Sequence, residues 1–89
     1  MKIGKMEKKV NTFDKIKSII YSVVCGVNSR DDVKLKSNLK RDLGADSLDI
    51  AEIRIRVKNE FGVFITDDAF KRIKTVRGLV GYINAHHSA

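Results

Sequence analysis

A serine beside a tight turn is the residue of this chain best placed to do chemistry. Residues 42–49 read Asp-Leu-Gly-Ala-Asp-Ser-Leu-Asp, and Gly44 supplies the backbone freedom that a turn needs. Asp46 and Ser47 are both residue types that begin helices, and an apolar-periodic segment follows them at once. Ser47 therefore falls at or within a residue of a helix N-terminus, where unpaired N–H groups and the helix dipole favour an anion. A phosphate ester on Ser47 would be well placed, although a plain helix cap would use the same residues.

Three carboxylates near this serine are the next candidates for chemistry. Asp46, Asp49 and Glu52 lie close together in sequence, as a pair of catalytic carboxylates would. Negative charges at a helix N-terminus need no catalytic explanation, however, and no base or nucleophile assembly accompanies these three. We therefore expect no catalytic residues and no enzyme activity of the chain's own.

The histidines and the single cysteine indicate neither a metal site nor a nucleophile. His86 and His87 are adjacent, so their side chains would point about 100° apart on a helix and would not share a metal ion. One cysteine excludes an internal disulfide, and Cys25 follows two valines, which predicts a small apolar residue packed in the core. No metal is expected.

Charge is the most unusual property of the composition. The 89 residues include 18 Lys and Arg against 11 Asp and Glu, a net charge of +7. Residues 1–30 hold seven of the basic side chains and only two acidic ones. A basic chain of this size must be considered as a nucleic-acid binder, but its basic residues are dispersed and no helix-turn-helix with a glycine turn is evident.

Length and hydrophobic content fit one small domain. A hydrophobic share of 43% is ordinary for a chain that folds around a core. No apolar run approaches the roughly 18–20 residues of a membrane span, and no apolar region of a secretory signal follows the first residues. Together with the single cysteine, these features predict a cytoplasmic protein without a membrane span.

The segment around Ser47 resembles the prosthetic-group attachment segment of acyl carrier proteins. In that family the serine of an Asp-Ser-Leu motif is esterified with 4′-phosphopantetheine, whose terminal thiol carries acyl groups as thioesters. We judge the resemblance to cover roughly residues 13–87, which leaves residues 1–12 as a basic, frayed tail. Further along the chain it rests on Glu52, Phe61, Asp67, Asp68, Thr75, Val76, Tyr82, Ile83 and Asn84.

The resemblance implies a function and a set of partners. Ser47 would be the covalent attachment residue, and Asp46 and Leu48 would be recognised by a phosphopantetheinyl transferase. The implied protein is a monomeric, non-catalytic carrier that serves acyl-transferring and fatty-acid-synthesis-type enzymes. Two alternatives stay open: an unmodified carrier-like interaction protein, and a small basic helical domain that binds nucleic acid.

The helix after Ser47 departs from the family pattern in its charge. This helix is strongly acidic in typical acyl carrier proteins, whereas here its first half is acidic and its second half basic. Because opposite charges steer association, we predict a partner with a docking patch of mixed charge. A solvated helix face is the alternative. The predicted docking residues are Asp49, Glu52, Arg54, Ile55, Arg56 and Lys58.

Apolar periodicity predicts an all-α fold, a small four-helix bundle with a long loop between helices 1 and 2 and a short third helix. Gly62 is expected to end the second helix, and Thr66 and Thr75 to cap the third and fourth. The expected helices are residues 11–25, 47 to 60 or 61, 67–73 and 76–86.

The loop and the second helix carry the remaining predictions. Asp31 and Asp32 are placed to cap a short turn in the loop, whose leucines and valine should pin it to the helices. Leu48 and Ile55 fall opposite the core-facing side of helix 2. They form either a docking patch, or else scattered surface apolar residues or contacts with the long loop. The core-facing residues expected on helix 2 are Ile50, Ile53, Val57 and Phe61, and those expected in the loop are Val33, Leu35, Leu39 and Leu43.

Overall fold

The computed structural model describes residues 12–86, which form four α-helices and one 3₁₀ turn. The elements are α1 (Thr12–Val23), the 3₁₀ turn (Arg30–Asp32), α2 (Ser47–Phe61), α3 (Asp67–Arg72) and α4 (Val76–His86). The predicted all-α class, the long loop and the short third helix are confirmed. Residues 1–11 of the predicted tail and His87 lie outside the described residues. The longest of these helices has 15 residues, too few to cross a bilayer.

Helix α1 runs antiparallel to both α2 and α4. The Lys15 ammonium near the start of α1 pairs with Glu60 near the end of α2 at 2.6 Å. The Thr12 hydroxyl donates to the Asn84 side-chain oxygen near the end of α4, also at 2.6 Å. These exposed polar contacts fix alignment more than stability, which comes from the apolar faces between the helices.

The core draws apolar side chains from the helices, the long loop and the connector before α3. Ile53 and Val57 of α2 are fully buried, while Ile50 and Phe61 pack partly buried against the same cluster, as the helical periodicity predicts. Burying one such side chain contributes about 1.5–3 kcal/mol. The largest fully buried residues are Ile16, Ile20, Val33, Leu39, Ile53, Val57, Ile65, Val76, Leu79 and Ile83.

The long loop is fixed to the chain before α4 by backbone hydrogen bonds. Three N–H···O bonds of 2.7 to 3.0 Å join residues 35–39 to residues 74–77, around an antiparallel bridge between Asn38 and Thr75. Of the four predicted anchors, Val33, Leu39 and Leu43 are buried, whereas Leu35 is half-buried. The loop therefore has a defined course from α1 to the start of α2.

Two local predictions in the α1–α2 connection are wrong. Cys25 is exposed rather than packed in the core, because α1 ends at Val23 and only the flanking Val24 and Val27 turn inward. The short turn exists, but its cap is the Ser29 hydroxyl, which accepts the Asp31 N–H at 3.1 Å.

The predicted ends of the later helices are confirmed. Gly62 ends α2 in the left-handed conformation with φ +73°, a conformation in which glycine has no Cβ to strain. The Thr66 hydroxyl caps α3 by accepting the Ala69 N–H at 3.1 Å. The Thr75 hydroxyl accepts the Gly78 N–H at 3.2 Å at the start of α4.

Candidate functional site

Ser47 is the first residue of α2 and is exposed to solvent. Its hydroxyl forms no hydrogen bond with any residue in the described range 12–86. An exposed hydroxyl without a partner is accessible to a modifying enzyme and loses no internal contact when it is esterified.

The helix cap belongs to Asp46 and not to Ser47. The Asp46 carboxylate accepts the Asp49 N–H at 2.9 Å, and the Asp46 N–H donates to the Asp49 carboxylate at 3.2 Å. This reciprocal pair is a capping box, which satisfies two backbone donors at the helix start. The alternative reading of Ser47 as a plain helix cap is therefore wrong.

The turn before α2 is held by the side chain of Asp42, which belongs to the motif, and by that of Asn38, which the sequence pattern did not single out. The Asn38 side-chain oxygen accepts the N–H groups of Lys40 and Arg41 at 3.0 and 2.8 Å. The Asp42 carboxylate accepts the Asn38 N–H at 2.7 Å, which closes the turn. Gly44 then adopts φ +77°, as its place in the motif predicted. The spacing of asparagine and aspartate, both turn-forming types, was the signal available in the sequence.

A groove opens beside Ser47 between α2, α3 and the long loop. We call it the Ser47 groove, a cavity of about 580 Å³. The apolar residues that line it are Leu39, Ile50, Ala51, Phe70 and Ile73, and its polar lining comprises Asn38, Lys40, Ser47, Arg54, Asp67, Lys71 and Lys74. Sequence patterns did not reveal the groove, because three separate segments form it.

Arg54 closes one side of this groove. Its guanidinium donates to the Ile65 carbonyl oxygen at 2.9 Å and pairs with the Asp67 carboxylate at 2.5 Å. The Arg54 side chain is 21% exposed, whereas that of Asp67 is 81% exposed. Arg54 thus links α2 to the connector and to the first turn of α3.

The other predicted docking residues differ in how much of their charge is available. Arg56 pairs with Glu52 at 2.9 Å, one turn apart on α2, and Asp49 is used in the capping box. Lys58 has no ion pair among residues 12–86, and its ammonium lies 5.9 Å from the centroid of the Phe64 ring. Of the predicted cations of α2, Lys58 therefore has the charge most open to a partner.

Two large apolar side chains of α2 lie in solvent on the face away from the core. Leu48 is 79% exposed and Ile55 is 54% exposed. A docking role for this face stays a prediction.

Among residues 12–86, no group of three His, Cys, Asp or Glu side chains is arranged to hold a metal ion. His86 instead stacks on Tyr82, with ring centroids 4.0 Å apart.

Comparison with known proteins relates most of the chain to one family. Residues 14–83 match the family model described as "Phosphopantetheine attachment site". The chain is also similar to a curated acyl carrier protein of Trieres chinensis, with 41% identity over 75 residues. That alignment covers 84% of this chain and 91% of the relative. Both matches span α2 and most of the described fold.

Proposed function

Because the chain belongs to the acyl carrier protein family, we propose that Ser47 is the residue that bears its covalent 4′-phosphopantetheine. The family carries acyl groups as thioesters on the thiol of that arm. The observation that supports Ser47 is the state of its hydroxyl. Ser47 is the first residue of α2, and its exposed hydroxyl has no hydrogen-bond partner among residues 12–86 and borders the Ser47 groove.

The residues around Ser47 fit a phosphodiester. The ester would place its negative charge at the N-terminal end of a 15-residue helix, where the first N–H groups lack intrahelical partners and the dipole is positive. Asp46 and Asp49 keep their capping box when the serine is modified, since neither uses the hydroxyl. In the attachment step the Ser47 oxygen bonds to phosphorus, the nucleotide half of coenzyme A leaves, and the hydroxyl proton passes to the transferase.

The chain's part in acyl transfer is to present the arm and to dock on the enzymes that act on it. We assign docking to the exposed face of α2 beside Ser47. Leu48 and Ile55 are the apolar contacts there, and Lys58 is a cation that has no ion pair within residues 12–86. The pathway we propose is fatty acid or related acyl-chain synthesis, and the chain itself catalyses no step. Its cytoplasmic location and monomeric state stay predictions.

Intact mass tests the attachment residue. The protein coexpressed with a phosphopantetheinyl transferase should gain the mass of one phosphopantetheinyl group, and Ser47→Ala should gain none. Ser22→Ala, which removes another exposed hydroxyl, is the matched control and should be modified as the parent is. An unmodified parent would favour the carrier-like interaction protein, and a modified Ser47→Ala variant would move the attachment elsewhere.

A further inference from the structure

Three lysines at the Ser47 groove form no ion pair with the part of the chain that the structure describes. Lys40 comes from the long loop, Lys71 from α3 and Lys74 from the segment after it, and all three are exposed and line the groove. None has an ion pair with any residue between 12 and 86. The one carboxylate in the groove lining, Asp67, is already paired with Arg54. The mouth of the groove therefore carries an unbalanced positive charge.

The interior of the same groove is apolar. Leu39, Phe70 and Ile73 are buried, at 2, 9 and 8% exposure, and Ile50 is partly buried beside them. The groove thus combines an apolar floor with a cationic rim. Methylene groups suit the floor, and the aliphatic stems of lysines cover apolar chains while their ammonium groups stay in water.

We propose that the acyl groups which this groove accepts end in a carboxylate. The methylenes of such a chain would lie on Leu39, Phe70 and Ile73, and its terminal carboxylate would meet the ammonium groups at the rim. A chain that ends in a methyl group would be stabilised only by apolar contacts with the floor of the groove. The inference rests on the proposed attachment at Ser47, which is the point from which the arm would enter the groove.

The phosphodiester of the arm does not balance this charge by itself. It brings one negative charge, which the N-terminus of α2 already favours, against three lysines contributed by other segments. A second anion further along the arm is the simplest match to the remaining cations. Several lysines at one rim also attract an anion more strongly than a single lysine does, because their electrostatic potentials add.

Three loaded forms of the protein test the proposal. Ser47 is loaded enzymatically from coenzyme A, from a methyl-ended acyl analogue, or from a carboxylate-ended analogue of equal length, with amides in place of the thioesters to prevent hydrolysis. Intact mass first verifies loading, so a failure of attachment is seen separately and removes both proposals. Backbone amide NMR shifts of Leu39, Ile50 and Phe70 then report the ratio of occupied to empty groove.

The carboxylate-ended chain should raise that ratio by roughly two- to fivefold over the methyl-ended chain, and added salt should reduce the difference. The double variant Lys71→Gln, Lys74→Gln should abolish the difference. The control Lys36→Gln, Arg77→Gln removes the same charge outside the groove and should keep it. Equal ratios for the two chains would overturn the proposal. It would also be overturned if the control variant lost the difference between the chains as fully as the double lysine variant does. The proposal would also be overturned if the lysine substitutions changed this ratio as much for the arm without an acyl group. The lysines would then bind the phosphodiester of the arm and not the acyl carboxylate.

Discussion

Arg54 of α2 and Asp67 of α3 form an ion pair at 2.5 Å across one side of the Ser47 groove. The same guanidinium donates to the Ile65 carbonyl oxygen at 2.9 Å in the connector. Arg54 was predicted to dock a partner because of its charge, but its guanidinium is paired within the fold. Its more buried bond, to the backbone, is the one that matters for stability.

Loss of the Arg54 side chain should cost more stability than loss of the Asp67 charge. Asp67→Asn should lower the free energy of unfolding by no more than about 1 kcal/mol, because its carboxylate is 81% exposed and screened. Arg54→Met should cost about 1–3 kcal/mol, since it leaves the part-buried Ile65 carbonyl without its donor. Urea unfolding of both variants measures the difference. Equal losses would mean that the ion pair, and not the backbone bond, holds this corner.

Removing the cap should destabilise α2, while removing the candidate attachment hydroxyl should not. Asp46→Ala breaks the capping box and should cost about 0.5–2 kcal/mol. Ser47→Ala removes a hydroxyl with no partner among residues 12–86 and should leave thermal unfolding nearly unchanged. Thermal unfolding followed by circular dichroism compares the two. If Ser47→Ala lost as much stability as Asp46→Ala, the Ser47 hydroxyl would have to cap the helix.

Alanine substitution at two glycines should have opposite effects on stability. Neither Gly44 nor Gly81 has a heavy atom within 4 Å of an added Cβ, so steric clash does not decide the outcome. Gly44 has φ +77°, and Gly44→Ala should cost about 1–2 kcal/mol in backbone strain. Gly81 lies inside α4, where Gly81→Ala should stabilise by roughly 0.5–1 kcal/mol through helix propensity. Chemical denaturation of each variant gives the sign of the change in the free energy of unfolding. The same sign at both positions would contradict this account.

Lys58 is the cation of α2 to test for docking. Lys58→Glu should lower kcat/KM for an enzyme with an acidic docking patch by roughly two- to fivefold at low salt, and should raise it for an enzyme that prefers acidic carriers. The phosphopantetheinyl transferase is the first enzyme to measure. Lys36→Glu, which reverses an exposed charge in the long loop and not on α2, is the control. Unchanged rates with both kinds of enzyme would remove Lys58 from the docking surface.

Local patterns predicted the helices well, because each helix start and end is decided by nearby residues. Gly62 ends α2, and Thr66 and Thr75 cap α3 and α4, where their residue types indicated. The exposed position of Cys25 was mispredicted, since its neighbouring valines suggested burial while the end of α1 turned the cysteine outward. At the candidate site, the turn at Gly44 and the position of Ser47 at the start of α2 followed from sequence. The groove beside them did not.

By itself the sequence determined the helical class, the turn at Gly44 and the placement of Ser47 at a helix start, since capping, glycine conformation and apolar periodicity act over a few residues. Only the tertiary structure decided that Asp46 holds the cap while the Ser47 hydroxyl has no partner among residues 12–86. Only the tertiary structure, too, turned Arg54 toward Asp67 and brought lysines from three segments to one groove. Those contacts join residues far apart in the chain, and their geometry depends on how the helices pack around the shared core.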